Sequence, residues 1–285
     1  MRYLLVLFDN PNISKEFVKY SILLARDLRA TVQLFFIQNP QAVPIAEPGT
    51  LTSTSINIDI DTDALAKSVE NSVNDIIREI RAEITTGVNV EFKSETGSAS
   101  RILEDTVSKG GVDMVLMQGD IDKPDWLKTI TNMELIEKAK CPVLIIAPDS
   151  KYQPLEKIIY ATDYKEEDIK TLKALIDLTR PLVTDILALH ISESMEFEEK
   201  VKEAGFNEML KQETDFKNIS VKVLVDEKGK DIVETLSEEI DKTNANLIVV
   251  LKENRNFFDR IFKSSFTADV IKNVKLPVLV FHSKQ

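Results

Sequence analysis

The chain has 285 residues, of which 43% are hydrophobic and 29% charged, with a formal charge of −11 and a single cysteine. That is room for one large domain or two ordinary ones of a water-soluble globular protein. The acidic balance speaks against nucleic-acid binding, which depends on neutralising phosphates, and one cysteine excludes an intrachain disulfide.

The N-terminal run YLLVLF, Tyr3–Phe8, reads as a strand that ends in the turn residues Asp9-Asn10-Pro11. A helix is expected from Ser14 to Arg29, with Phe17, Tyr20, Ser21, Leu24, Ala25 and Leu28 on one face. TVQLFFI, Thr31–Ile37, is a second buried strand, and residues 38–60, with three prolines, are a long loop. Asp61 or Thr62 caps a long helix, Val88–Phe92 is a third strand, and Glu95-Thr96-Gly97 closes it. Ser98 caps a helix that Gly110-Gly111 stops. Asp113–Gln118 is the fourth strand, a polar loop holds Trp126, and Thr131–Lys140 is a helix. Pro142–Ala147 is the fifth strand.

After a linker at Pro148–Pro154 the cycle restarts. Lys157–Thr162 ends at Asp163, as the first strand ended at Asp9. A helix stopped by Pro181 follows, then strand Thr184–Ile191, helix Ser194–Thr214 and strand Ser220–Val225 with Gly229 behind it. Helix Asp231–Thr243, strand Asn246–Leu251, helix Ser264–Val274 and strand Pro277–His282 complete the second round. The first round is longer by roughly 19 residues, which its 38–60 loop supplies. Both rounds alternate strand and helix, so each is a doubly wound parallel sheet of five strands, an α/β fold. We expect one repeat over residues 1–148 and another over 155–285. Ligands then belong at the carboxyl ends of the strands, at the switch point.

Several chemistries find no support. There is no GxxxxGK[ST] or GxGxxG. Two histidines and one cysteine cannot build a His/Cys zinc site. His190 and His282 read as satisfied structural imidazoles, Cys141 as a buried thiol, and Glu198-Glu199 and Glu238-Glu239 as solvated helix faces. Trp126, Phe257 and Phe258 read as loop anchors. No catalytic constellation and no metal site is expected. Asp9 and Asp163 at strand ends are either turn caps or ligand groups.

An aspartate after strand one (LFDN, ATDY), a glycine after strand three (ETGSAS, DEKGKD), an apolar strand four, and the endings CPVLII and LPVLVF recur in both repeats. This pattern resembles the universal stress protein family in a tandem form, over nearly the whole chain. The resemblance implies a Rossmann-like, adenine nucleotide alpha hydrolase-like sheet of strand order 3-2-1-4-5 and pairing of the two repeats as a pseudo-twofold intramolecular dimer. It implies that Asp9 and Asp163 face an adenine and ribose pocket, with Gly97 and Gly229 beside it. ATP-binding members wrap the triphosphate with G-x-x-G-x9-G-[S/T] after strand four. Here that place holds GDIDKPDWLKTIT and KENRNFFDRIFKSS, so the close backbone approach that glycine permits is lost. Only Ser264 and Ser265 keep the hydroxyl position, with Arg255 and other basic residues nearby. If one repeat binds an anion, the second is expected to, at the helix start of Ser264 and Ser265; the other reading of these two serines is plain N-capping.

The expectation is a cytoplasmic, non-catalytic stress-response protein that binds a protein partner or small ligand, with no membrane partner and with a further homodimer open to it. ATP or AMP bound by the second repeat is the alternative. Strands PVLII and PVLVF end their sheets and are expected to pair antiparallel, because apolar edges aggregate unless covered.

Overall fold

The computed structural model describes residues 2–38, 61–119, 132–147, 150–192, 197–225, 232–253 and 276–283. The loop expected after Gln38, the loop with Trp126 and the helix expected at 264–274 lie outside them.

The first half runs β1 (Arg2–Phe8), α1 (Lys15–Leu28), β2 (Ala30–Gln38), α2 (Thr62–Glu83), β3 (Val90–Thr96), α3 (Ala99–Ser108), β4 (Met114–Gln118), α4 (Asn132–Ala139) and β5 (Val143–Ile146). The second runs β6 (Lys157–Ala161), α5 (Glu166–Thr179), β7 (Asp185–Ser192), α6 (Phe197–Glu213), β8 (Ile219–Val225), α7 (Ile232–Thr243), β9 (Leu247–Leu251) and β10 (Val278–Phe281). All ten strands form one sheet in the order β3-β2-β1-β4-β5-β10-β9-β6-β7-β8. Each half therefore has the order 3-2-1-4-5, the second read in reverse.

Pairing is parallel within each half and antiparallel at one place, β5 against β10, with Leu144 opposite Leu279. The expected pairing of the two proline-led strands holds. Pro142 and Pro277 stand just before the strands, where a missing N–H costs no ladder bond. Their carbonyls still accept, from Val115 N–H at 2.9 Å and from Ile248 N–H at 3.1 Å. The strands that end each half are consequently central in the whole sheet, and β3 and β8 are its outer edges.

Continuous apolar strands are explained by cover on both faces. Leu4, Val6 and Phe8 of β1 face one core, with α1, α2, α5 and α6. Leu5 and Leu7 face the other, with α3, α4 and α7. Both cores run through both halves. α1 begins where Ser14 Oγ accepts the Phe17 N–H and ends at Arg29 in the left-handed region. Asp61 caps α2, accepting the Ala64 N–H at 2.9 Å. Ser98 stands at the start of α3 without a side-chain capping bond.

β3 lies later than Val88–Phe92. It follows β2 in register from Val32↔Val90 to Gln38↔Thr96, so pairing length, not apolar content, sets its bounds. Its polar Lys93, Ser94 and Glu95 suit an edge. Beneath the opposite edge, Lys222 of β8 turns inward to Glu239 of α7, 2.6 Å away, with the Glu239 side chain only 3% exposed. Glu239 is thus a buried partner and not a solvated carboxylate as expected. Across the seam, the Arg2 guanidinium donates to the carbonyls of Asp177 and Leu178 at the end of α5, where the helix dipole favours a cation.

Because β10 belongs to the core of both halves, Leu279→Ala should cost about 2–5 kcal/mol. Urea unfolding followed by circular dichroism would read the loss. Amide exchange should rise in β1 and β6 together, and a rise confined to one half would contradict a shared core.

Candidate functional site at the ends of β6 and β7

The antiparallel seam points the two halves' strand ends in opposite directions. Asp9 and Asp163 are therefore on opposite sides of the sheet and do not meet. Gly97 follows β3 at φ 148°, a conformation favouring glycine, and its N–H donates to Gln38 O at 2.9 Å. Gly97 closes the strand pair at the first half's edge. Gly229, Arg255, Ser264 and Ser265 lie outside the described residues.

At the carboxyl end of β6 the chain reads Tyr160-Ala161-Thr162-Asp163-Tyr164-Lys165 and enters α5. The helix cannot be capped by Lys165, whose side chain has no acceptor. Asp168, 1% exposed, does the work from inside the first turn. Its Oδ2 accepts Lys165 N–H at 3.0 Å, Asp163 N–H at 3.1 Å and Thr162 Oγ1 at 2.9 Å. Its Oδ1 accepts the Tyr160 hydroxyl at 2.7 Å. Desolvation and the adjacent carboxylate push the Tyr160 phenol well above its ordinary value. Thr162 Oγ1 in turn accepts Tyr164 N–H at 3.0 Å, and Tyr164 sits at φ 60°. This clamp fixes the turn that presents Asp163.

The Asp163 side chain is 16% exposed, with Lys165 Nζ 3.7 Å from its Oδ2. Burial raises its carboxyl above the ordinary carboxylate value, against the pull of Lys165 and His190. His190, at the end of β7, donates from Nδ1 to Thr162 O at 2.7 Å. Its ring lies 4.4 Å from that of Tyr164, which also packs on Phe206 of α6. Nε2 is 3.4 Å from Glu199 Oε2. Glu199 is likewise 16% exposed and held by Lys202 at 2.7 Å, so it too is not the solvated carboxylate expected. Its Oε2 is buried and has no hydrogen-bond partner.

The other two groups singled out above differ from expectation in degree. His282 Nε2 bonds Ile136 O, while Nδ1 is buried with no partner. It is satisfied on one side only, and burial lowers its pKa. Cys141 is half-buried, and desolvation pushes its thiol up to about 12, which keeps it protonated and unreactive. Among the described residues no group of three or more His, Cys, Asp or Glu is placed to hold a metal ion. No helix among them is long and apolar enough to cross a membrane.

Asp168, Glu199 and Tyr164 were missed as site residues. The signal for Asp168 was available in part, since a carboxylate three residues after a poor cap is a helix-start pattern. Its four donors come together only in the fold.

Residues 154–282 match the model of the Universal stress protein family. The chain shares its fold with a universal stress protein from Archaeoglobus fulgidus DSM 4304, at 16% identity and a TM-score of 0.65, over 99% of this chain and 97% of that one. It is also similar to the cytoplasmic domain of a prokaryotic cation chloride cotransporter, at 11% identity and a TM-score of 0.55, over 98% and 94% of the two chains. No curated protein is a significant sequence match.

Asp168→Ala leaves buried donors without an acceptor and should cost about 3 kcal/mol or more in urea unfolding. Asp163 gives a pH signature. Its folded pKa is raised, so the stability it contributes is present below the unfolded value and lost as pH rises through the folded one. Asp163→Asn should therefore flatten the decline of the urea midpoint as pH rises above about 4. An unchanged slope would mean the carboxyl is not raised.

Proposed function

Residues 154–282 are a universal stress protein domain, and from that premise we propose that the protein is a non-catalytic stress-response regulator that acts by binding a small ligand or a protein partner. The observation that carries this reading is the closure of the strand-end polar groups on one another. Asp168 is taken up by four donors, and His190 is held between Thr162 O and Glu199. A general base needs a substrate proton within reach, and a nucleophile needs a base beside it. Here the titratable groups serve to hold a turn and a helix start.

A second reading is favoured by one feature. Asp163 is presented, half-buried, at the switch point between β6 and β9, which pair side by side. That is where a doubly wound sheet takes a ligand, and in this family an adenine nucleotide, ATP or AMP, is the natural occupant. The glycine-poor sequences after strand four argue for weak phosphate contact and against hydrolysis.

Two measurements test these readings. Purified protein with Mg-ATP should release phosphate no faster than buffer, and turnover abolished by Asp163→Ala would overturn the non-catalytic reading. If nucleotide binds, ATP or AMP at saturating levels should raise the melting temperature by about 2–4 °C or more. That shift should be lost in Asp163→Ala and kept in Asp9→Ala. No shift with either nucleotide removes the second reading.

A further inference from the structure

The two halves are related by a pseudo-twofold axis at the β5–β10 seam, so every groove on one side has a counterpart on the other. α1 and α5 are each 14 residues long and align end to end. Their buried positions coincide, Val18 with Ile169, Ser21 with Leu172, Ala25 with Ile176. In that alignment Tyr20 corresponds to Thr171, Leu23 to Ala174 and Asp27 to Leu178. By the same symmetry Asn246, before β9, corresponds to Asp113, before β4. Each side chain accepts the backbone N–H at the start of the neighbouring strand, Lys157 N–H at 3.2 Å and Tyr3 N–H at 2.7 Å.

Beside α1 the groove is filled by the linker between the halves. The Tyr152 ring stands edge-on to Tyr20 at 5.1 Å, and its hydroxyl donates to Asp27 at 2.6 Å. Asn246 Nδ2 donates to Pro154 O at 2.5 Å. Beside α5 the counterpart is a cleft of about 750 Å³, lined by Thr171, Ala174 and Leu178 of α5, by Asp113, and by Phe281 at the end of β10. Smaller side chains on α5 widen it. Its volume is that of small-molecule sites, about 300–1,000 Å³.

The charges on the cleft wall select the ligand. Arg2 is engaged by the α5 carbonyls, Lys170 by Glu166 at 2.7 Å, Lys140 by Glu104 at 3.9 Å and Asp177 by Arg180 at 2.6 Å. Asp113 has given one oxygen to Tyr3, and its other oxygen stands where Asn246 offers an N–H to the linker. Exchanging a donor for a carboxylate oxygen calls for a ligand that donates. Glu167 of α5 adds a second carboxylate to the lining. An apolar floor with an aromatic ring in its filled twin calls for an aromatic body.

We propose that the cleft between the halves binds a small aromatic molecule bearing a protonated amine, its ring replacing Tyr152 and its amine bound by Asp113. The site is separate from the strand-end turn at Asp163 and does not rest on the nucleotide reading.

The test uses the full chain and tyramine as probe, with 4-hydroxyphenylacetate as the same ring without the amine, both followed by titration calorimetry. Tyramine should bind at least about tenfold tighter than the carboxylate. Thr171→Tyr, which restores the ring that stands edge-on to Tyr152 in the first groove, should leave tyramine bound at least as tightly. Asp113→Asn, which copies the first groove's residue and keeps the acceptor for Tyr3, should weaken it about tenfold or more. The proposal is overturned if tyramine gives no binding, if the two probes bind equally, if Asp113→Asn leaves tyramine binding unchanged, or if Thr171→Tyr abolishes it.

Discussion

The pairing of β5 with β10 is the constraint on which the rest depends. A five-stranded parallel sheet that ends in VLII or VLVF has an apolar last strand with one row of backbone groups unpaired. Joining the two edges satisfies both rows at once and leaves β3 and β8 as the only outer edges of the described sheet. Those edges carry the protection the inner strands lack. β3 is polar from Lys93 to Thr96, and β8 carries Lys222, half-exposed and paired with the buried Glu239. The antiparallel sense of the join then dictates function. It sends the two sets of strand ends to opposite sides, so no single pocket can be built from Asp9 and Asp163 together.

Within that frame the halves have diverged in how they hold the same turn. α1 starts with a serine cap and an apolar Phe17 in its first turn. α5 has lysine at the cap and Asp168 at the position of Phe17. A buried carboxylate is costly unless several donors meet it, and here the loss of the cap and the gain of the acid compensate each other. The outcome is a rigid, polar strand end in the second half, with Thr162, Tyr164 and His190 tied to it. The corresponding end of β1 has a local Asn10 turn instead, whose Oδ1 accepts the Asn12 N–H at 2.9 Å.

The order of the described elements and the duplication were legible in the sequence, because they follow from period and from repetition of one pattern, while the strand order and the seam were implied by the resemblance to the family. Edge strand β3 was misplaced because a half-exposed strand has little apolar signal and its length is set by its neighbour. The buried roles of Glu199 and Glu239 were not legible at all. A helix face reads as solvated when its residues are charged, and only the position of Lys222 on an edge strand, or of His190 at a strand end, shows which carboxylate turns inward. The same holds for Asp168, whose donors come from β6, from the turn and from the helix start.

Duplication also makes divergence interpretable. In a chain with one copy of a groove, an open cleft can be dismissed as imperfect packing. Here the same groove exists twice on one sheet, under the same strands and beside helices of equal length. One copy is packed by Tyr152, which meets the Tyr20 ring and donates to Asp27. The other has exchanged tyrosine for threonine, leucine for alanine and an amide donor for a carboxylate. Those three changes widen the groove and reverse the polarity of the position that met the linker. Loss of packing alone would account for the first two. A carboxylate in place of the amide puts a solvent-exposed acceptor on the cleft wall, where an amine-bearing ligand would find its partner.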